Sequence, residues 1–180
     1  MQEIFILRHA HAEDLSETQS KVDFDRKLTP EGIEKAKKLS EFFNTLEVKL
    51  DIVLSSPYLR AKETAAHFIG SLEDGNKPEV KLVDFLSSGV SVNEIAKGLL
   101  PYFSMDKIAL VGHAPDLELF LGKLIGAGMA KIKLKKGSIA KVILSNSLEL
   151  SGELEWLITP KVLKRLKIKK KATSTAAKAE

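Results

Sequence analysis

Four short apolar runs, Ile4–Leu7, Asp51–Ser56, Val80–Val83 and Lys107–Val111, alternate with stretches of helical apolar spacing, and this alternation constrains the fold most. Runs this short, apolar along most of their length, suit strands covered on both faces. The stretches between them carry helix-start signals. Thr29-Pro30 pairs an N-cap residue with proline at the first helical position, and Ser56-Pro57 repeats the pair. Ile33, Ala36, Leu39, Phe42 and Phe43 then recur at helical spacing. Tyr58–Ile69, a stretch near Val92–Tyr102, and Asp116–Ile125 read as further helices. Beyond Gly128, Ile139–Leu144 and Glu153–Ile158 flank the turn-like SNSLELSG and read as two strands. A last helix starts at Pro160 and runs into a low-complexity end, ATSTAAKAE. Strand and helix in repeated alternation predict a three-layer α/β/α sandwich, with a mostly parallel central sheet and helices on both faces. No internal repeat or linker divides the chain, so residues 1–167 form one domain and 168–180 a basic tail.

The 180 residues, 44% hydrophobic, suffice for a real core. Cysteine is absent, which excludes disulfides, thiolate metal sites and cysteine nucleophiles, and fits a reducing compartment. No basic stretch precedes a long apolar run at the N-terminus, and no apolar run is long enough to span a bilayer. The expectation is a cytoplasmic protein with no membrane partner. The net charge of +4 is local: eight basic side chains lie between Lys161 and Lys178 with no acid among them. Without residues 161–180, 20 basic face 23 acidic residues, a net of −3. A solvated terminal helix accounts for that basicity better than a nucleic-acid contact, so no nucleic-acid partner is expected. The chain is expected to be a monomer.

Polar groups gather at one kind of place. Arg8-His9 follows the first strand, Ser55-Ser56 and Arg60 the second, Asp84 the third and His113 the fourth. In an open α/β sheet, ligands bind at the carboxyl ends of the strands. If the strands run parallel, all these groups converge there. Two arginines offer forked, permanent charge that matches phosphate oxygens. Helix N-termini near Pro57 and Pro115 would add positive dipole ends. A neutral imidazole can attack phosphorus and divide one hard step into two. His9 is thus the expected nucleophile, with Arg8, Arg60 and His113 stabilising charge. No His/carboxylate cluster has metal-ligand spacing, so neither a metal nor a cofactor is implied.

Leu7-Arg-His-Ala10, Leu28-Thr-Pro-Glu-Gly32, Ser55-Ser-Pro-Tyr-Leu-Arg-Ala-Lys-Glu-Thr-Ala65 and Val111-Gly-His-Ala-Pro-Asp116 together resemble the histidine phosphatase superfamily, which includes cofactor-dependent phosphoglycerate mutases. The small phosphohistidine phosphatases of the SixA type match best in length. They also match in Lys136-Gly-Ser-Ile-Ala-Lys-Val before Gly152-Glu-Leu-Glu-Trp-Leu-Ile-Thr-Pro160. The resemblance spans about residues 1–167. It implies a phosphoglycerate mutase-like fold, phosphorylation of His9, and a phosphate held by Arg8, Arg60 and His113. Two departures stand out. Arg26-Lys27-Leu28-Thr29 replaces the commoner Arg-Pro-Leu-Thr, and Asp84 stands where the superfamily's usual proton donor is a glutamate.

A shortened acid suits a phosphorylated histidine, because a protonated imidazole leaves far more easily than an alkoxide. The expected substrate is therefore a protein phosphohistidine, such as that of a histidine-containing phosphotransfer domain. The alternatives are a phosphatase of small phosphorylated metabolites, a mutase, and a phosphopeptide-binding module without turnover. The large insertions of mutases are absent, and a pure binder would need only the arginines. Asp84 divides evenly between proton donor and loop cap. His11 at the pocket border, His67 late on a helix, Trp156 and Phe42-Phe43 in the core, and Ser55 and Ser56 as caps take structural readings.

Overall fold

Residues 2–73, 77–127, 131–146 and 149–166 are described by the structure, a computed structural model. Strands β1 (Gln2–Arg8), β2 (Ile52–Ser55), β3 (Glu79–Leu82), β4 (Lys107–Gly112), β5 (Ile139–Asn146) and β6 (Ser151–Ile158) form one six-stranded sheet. Its order is β3-β2-β4-β1-β5-β6. The pairs β1–β4, β2–β4 and β2–β3 are parallel, whereas β5 runs antiparallel to both β1 and β6. Helices α1 (Pro30–Thr45), α2 (Leu59–Gly70), α3 (Val92–Leu99), α4 (Asp116–Leu124) and α5 (Pro160–Leu163) fill the connections. The fold is the expected mixed α/β sandwich.

Alternate residues of the central strands explain why they are apolar throughout. Ile4, Ile6, Ile52, Leu54, Ile108 and Leu110 pack on one face with Ile95 and Leu99 of α3 and Leu117 and Phe120 of α4. Phe5, Leu7, Val53, Ala109 and Val111 pack on the other with Leu39 and Phe43 of α1 and Ala61 and Phe68 of α2. Phe43 lies edge-on to Phe5 and to Phe68, at 5.1 and 5.3 Å between ring centroids. Trp156 closes this layer against Phe5 and Phe42. Residues buried on both sides leave no room for polar alternation.

Three boundaries depart from the sequence reading. Helix α3 stops at Leu99 and tightens into a 3-10 turn, Leu100–Tyr102, because Pro101 has no N–H for the carbonyl of Lys97. Helix α2 starts at Leu59 with Tyr58 as its N-cap and no side-chain cap bond, so Ser56 is not its cap. Helix α5 spans Pro160–Leu163 only, and the tail 168–180 lies outside the described residues. Among the described residues no helix is long and apolar enough to cross a membrane.

Helix α1 begins as read: Pro30 is its first residue and the Thr29 side chain accepts from the Gly32 N–H. The Thr29 N–H donates to the His11 carbonyl at 3.0 Å, tying the helix start to the chain just after His9. A Cβ on Gly32 would sit 2.0 Å from that same carbonyl oxygen. The glycine is there for close approach. Gly32→Ala must push the His9–His11 turn away from α1, at an expected cost of about 1–3 kcal/mol. Thermal melting should fall by at least about 2 °C. An unchanged melting temperature would mean that the turn yields freely.

Candidate active site

The register of the sheet sets the site. Arg8 of β1 pairs with Gly112 of β4, so the next residues, His9 and His113, leave neighbouring parallel strands side by side. Their rings lie 5.2 Å apart, tilted by 54°. Both are almost wholly buried, at 5% and 2% exposure.

The backbone of His9 is fastened from three directions. Its N–H donates to the Gly112 carbonyl at 3.0 Å. The Gly137 N–H is shared between the carbonyls of Arg8 (3.1 Å) and His9 (3.0 Å). Gly137 holds φ at +80°, a left-handed conformation in which glycine is at ease. The Ala10 N–H donates to Thr64 Oγ1 of α2 at 3.0 Å, and that hydroxyl donates to the Arg60 carbonyl at 2.6 Å.

His9 Nδ1 lies 2.7 Å from the Ala10 carbonyl. A carbonyl only accepts, so Nδ1 carries the proton and Nε2 keeps its lone pair. His113 Nε2 is 2.8 Å from Ser56 Oγ, and its buried Nδ1 has no partner among the described residues. Burial is the main force on both rings. It lowers His9 from 6.5 to about 2, helped by the charges of Arg60 and Arg8 and opposed by the Ala10 carbonyl. It lowers His113 to about 3, with Arg60 and Arg8 adding and Asp23 opposing. Both imidazoles are neutral at pH 7.

The guanidinium groups are held from outside the pair. Arg8, half-buried, donates from Nη1 to the Leu134 carbonyl at 2.7 Å, and the Leu134 N–H donates to Glu118 Oε1 at 2.8 Å. Its buried Nε has no partner among the described residues. Arg60, 4% exposed, is the second residue of α2, nearer the helix start than its motif suggested. It donates to the Asp23 carbonyl at 2.7 Å and to Asp23 Oδ2 at 3.0 Å. Asp23 also bridges to Arg26 at 2.9 Å. Although burial opposes it, those two arginines hold the Asp23 carboxyl below its ordinary range. The Tyr58 ring touches both, with the Arg60 guanidinium 4.8 Å and the His113 ring 5.0 Å from its centroid.

The structure therefore brings together four of the expected site residues: Arg8, His9, Arg60 and His113. Asp84 is different. It opens a 3-10 turn after β3, and its exposed side chain makes no hydrogen bond or ion pair with these four. The helix end at Pro115 also differs from the reading, because Asp116 and Glu118 occupy the first turn of α4 and offset its dipole. Asp116 is spent on the Gly89 N–H at 2.8 Å. Helix α2 has no acid in its first turn and keeps its positive end. His11 bonds Thr29 Oγ1 at 3.1 Å, a structural role. Among the described residues no three His, Cys, Asp or Glu side chains gather into a metal-binding group.

Four contributors were not read as such: Ser56, placed at the strand end but read as a cap, and Tyr58, Thr64 and Asp23. The first three lie inside the motif around Arg60, and Thr64 shares its helix face at four residues' distance, a usable signal. Asp23 sits in a loop without periodicity and gave none.

A sequence profile of the histidine phosphatase superfamily (branch 1) matches residues 4–85. An uncharacterized protein of Picosynechococcus sp. is 31% identical over 117 residues, covering 64% of this chain and 68% of that protein. Among solved structures, the protein histidine phosphatase SixA complexed with tungstate superposes with a TM-score of 0.78 at 22% identity, covering 90% of this chain and 99% of that one. The alpha-ribazole phosphatase from Shigella flexneri superposes with a TM-score of 0.67 at 18% identity, over 88% and 97% of the respective chains.

Proposed function

The chain belongs to the histidine phosphatase superfamily, and from that premise we propose that it is a metal-independent phosphatase of protein phosphohistidine, acting through a phosphoryl group carried on His9. One observation carries this reading. The His9 ring is fixed with its proton on Nδ1, leaving a bare Nε2 beside a second neutral imidazole and within the field of the Arg8 and Arg60 charges. That is the arrangement a phosphoryl acceptor needs: a lone pair in place, and positive charge around the equatorial oxygens.

In the first step Nε2 of His9 bonds to phosphorus as the bond from phosphorus to the substrate's imidazole nitrogen breaks. The departing imidazole takes a proton from solvent or leaves already protonated on its other nitrogen. In the second step a water oxygen bonds to phosphorus and the P–Nε2 bond breaks. His9 returns as neutral imidazole, and the water's proton goes to the phosphate. The Ala10 carbonyl accepts from Nδ1–H throughout and stabilises the positive charge that the phosphorylated ring develops. Arg8, Arg60 and the positive end of α2 supply positive charge to the phosphoryl oxygens, the part a metal would otherwise take.

A metabolite phosphatase on the same scaffold is the rival, and alpha-ribazole phosphatase shares the fold. The exposed position of Asp84, with no bond to the four site residues, favours phosphohistidine, whose imidazole needs no strong acid to leave. The substrate proposed is a phosphorylated protein, such as a histidine-containing phosphotransfer domain.

Phosphate label trapped on the enzyme should be acid-labile, alkali-stable and located on His9. Activity should survive EDTA. A phosphohistidine protein should be turned over with a kcat/KM on the order of tenfold or more above sugar phosphates and p-nitrophenyl phosphate. Faster turnover of sugar phosphates would transfer the assignment to the rival.

A further inference from the structure

A groove of about 510 Å³ opens beside the site, lined by Arg8, the residue before His9. Lys133, Lys135 and Lys136 line it from segment 131–136, Lys161 and Lys164 from α5. The sequence KIKLKK explains the first wall. Leu134 is fully buried, and its backbone is tied to Arg8 and Glu118, which leaves Lys133 and Lys135 exposed on either side of it. The second wall follows the same logic, with Leu163 buried and Lys161 and Lys164 exposed. The two walls meet where Gly137 approaches Pro160, at 3.4 Å from its Cβ position.

Lys35 also lines the groove and is ion-paired with Glu31. None of the other five lysines makes an ion pair among the described residues. Glu31 and Glu34, which feel the Lys164 charge, are bonded to Lys35 and Lys38 at 2.7 and 2.6 Å. Burial and the nearby Arg26, Arg8 and Arg60 lower the Lys136 ammonium from its ordinary value. Like charges repel, so such a convergence in a body whose net charge is −3 before residue 161 marks a surface made for an anion.

The phosphoryl group itself belongs between the guanidinium groups, so the groove receives whatever flanks it. Lysines are flexible point charges that attract an anion by charge without imposing a bidentate geometry. Among the described residues no aromatic side chain lines the groove, so nucleobases have nothing there to stack on. Carboxylates of a polypeptide fit both facts. Resting on the reading that the substrate is a phosphorylated protein, we propose that this lysine groove docks an acidic segment beside the phosphorylated residue, selecting phosphoproteins whose flanks carry Asp and Glu.

Three synthetic phosphohistidine peptides, alike except for four flanking Glu, Gln or Lys residues, test this. The Glu peptide should exceed the Gln peptide in kcat/KM by about tenfold at low salt, as expected of a few exposed ion pairs, with the Lys peptide below both. In 0.5 M NaCl the preference should shrink to less than about threefold. The double variants Lys161→Glu/Lys164→Glu and Lys133→Gln/Lys135→Gln should each cut the Glu-to-Gln ratio severalfold. A ratio near one in the wild type, or a ratio that survives both double variants, overturns the proposal. Anisotropy of a labelled, unphosphorylated Glu peptide reads the groove without any chemistry. Binding lost in both double variants supports the groove even if phosphohistidine turnover fails. A dT12 oligonucleotide that outcompetes hexaglutamate would overturn it in favour of a nucleic acid.

Discussion

Replacing His9 by alanine should remove the phosphoenzyme and lower kcat on the order of 10⁴-fold or more, because both chemical steps pass through one nitrogen. Loss of a single charge-stabilising donor elsewhere in the site should cost about 10²–10³-fold. The gap between those figures separates a nucleophile from a phosphate ligand. The variant keeps Arg8 and Arg60, so it should still bind orthovanadate or inorganic phosphate, which calorimetry or protection against thermal unfolding can read. A His9→Ala enzyme that retained turnover within tenfold of the wild type, or still trapped acid-labile phosphate, would end the proposed mechanism. Equal binding with no turnover in the wild type would identify a phosphate-binding module instead.

The second large effect is on stability. His9 and His113 have folded-state values of about 2 and about 3, far below the ordinary 6.5 that they regain on unfolding. Below pH 6.5 the unfolded chain therefore binds protons that the folded chain refuses, and stability falls as pH falls. Above about pH 7.5 both states are neutral at these rings and the contribution vanishes. Each ring costs up to about 1.4 kcal/mol per pH unit in this window, so the pair should remove about 3 kcal/mol between pH 6.5 and pH 5. Asp23, lowered by its arginines, loses its contribution only below the ordinary carboxylate range, outside the interval from pH 5 to pH 8. Urea unfolding at pH 5, 6, 7 and 8 checks this, and His113→Gln should roughly halve the slope. A flat profile from pH 5 to pH 8 would show that the rings accept protons in the folded state.

Much of this is legible in the sequence, for identifiable reasons. Strands β1, β2 and β4 are buried on both faces, so their residues are apolar in unbroken runs. Arg8, His9, Arg60 and His113 were found because each follows such a run or the helix start behind it. What stayed hidden depends on geometry across the chain. Ser56 read as a helix cap because serine before proline is a cap signal, yet its hydroxyl meets His113, 57 residues away. The 3-10 ending of α3 was fixed by one missing N–H at Pro101, which apolar spacing overlooks. Asp23 reaches Arg60 from a loop between β1 and α1, and a loop has no period to betray where its side chains point. The lysines of 131–136 and 161–164 are separate in sequence, and only folding makes them one surface.

The pairing of Arg8 with Gly112 has a consequence for how such a site persists. Adjacent strands stand about 4.8 Å apart wherever a sheet forms, and the two imidazole centres stand 5.2 Å apart. The hydrogen-bond ladder acts as a gauge that sets the two backbones side by side, and the Ala10 carbonyl and the Ser56 hydroxyl then orient the two rings. Sequence can drift across the layers while the gauge holds, provided that neither strand slips by a residue, since one slip would send the two rings to opposite faces.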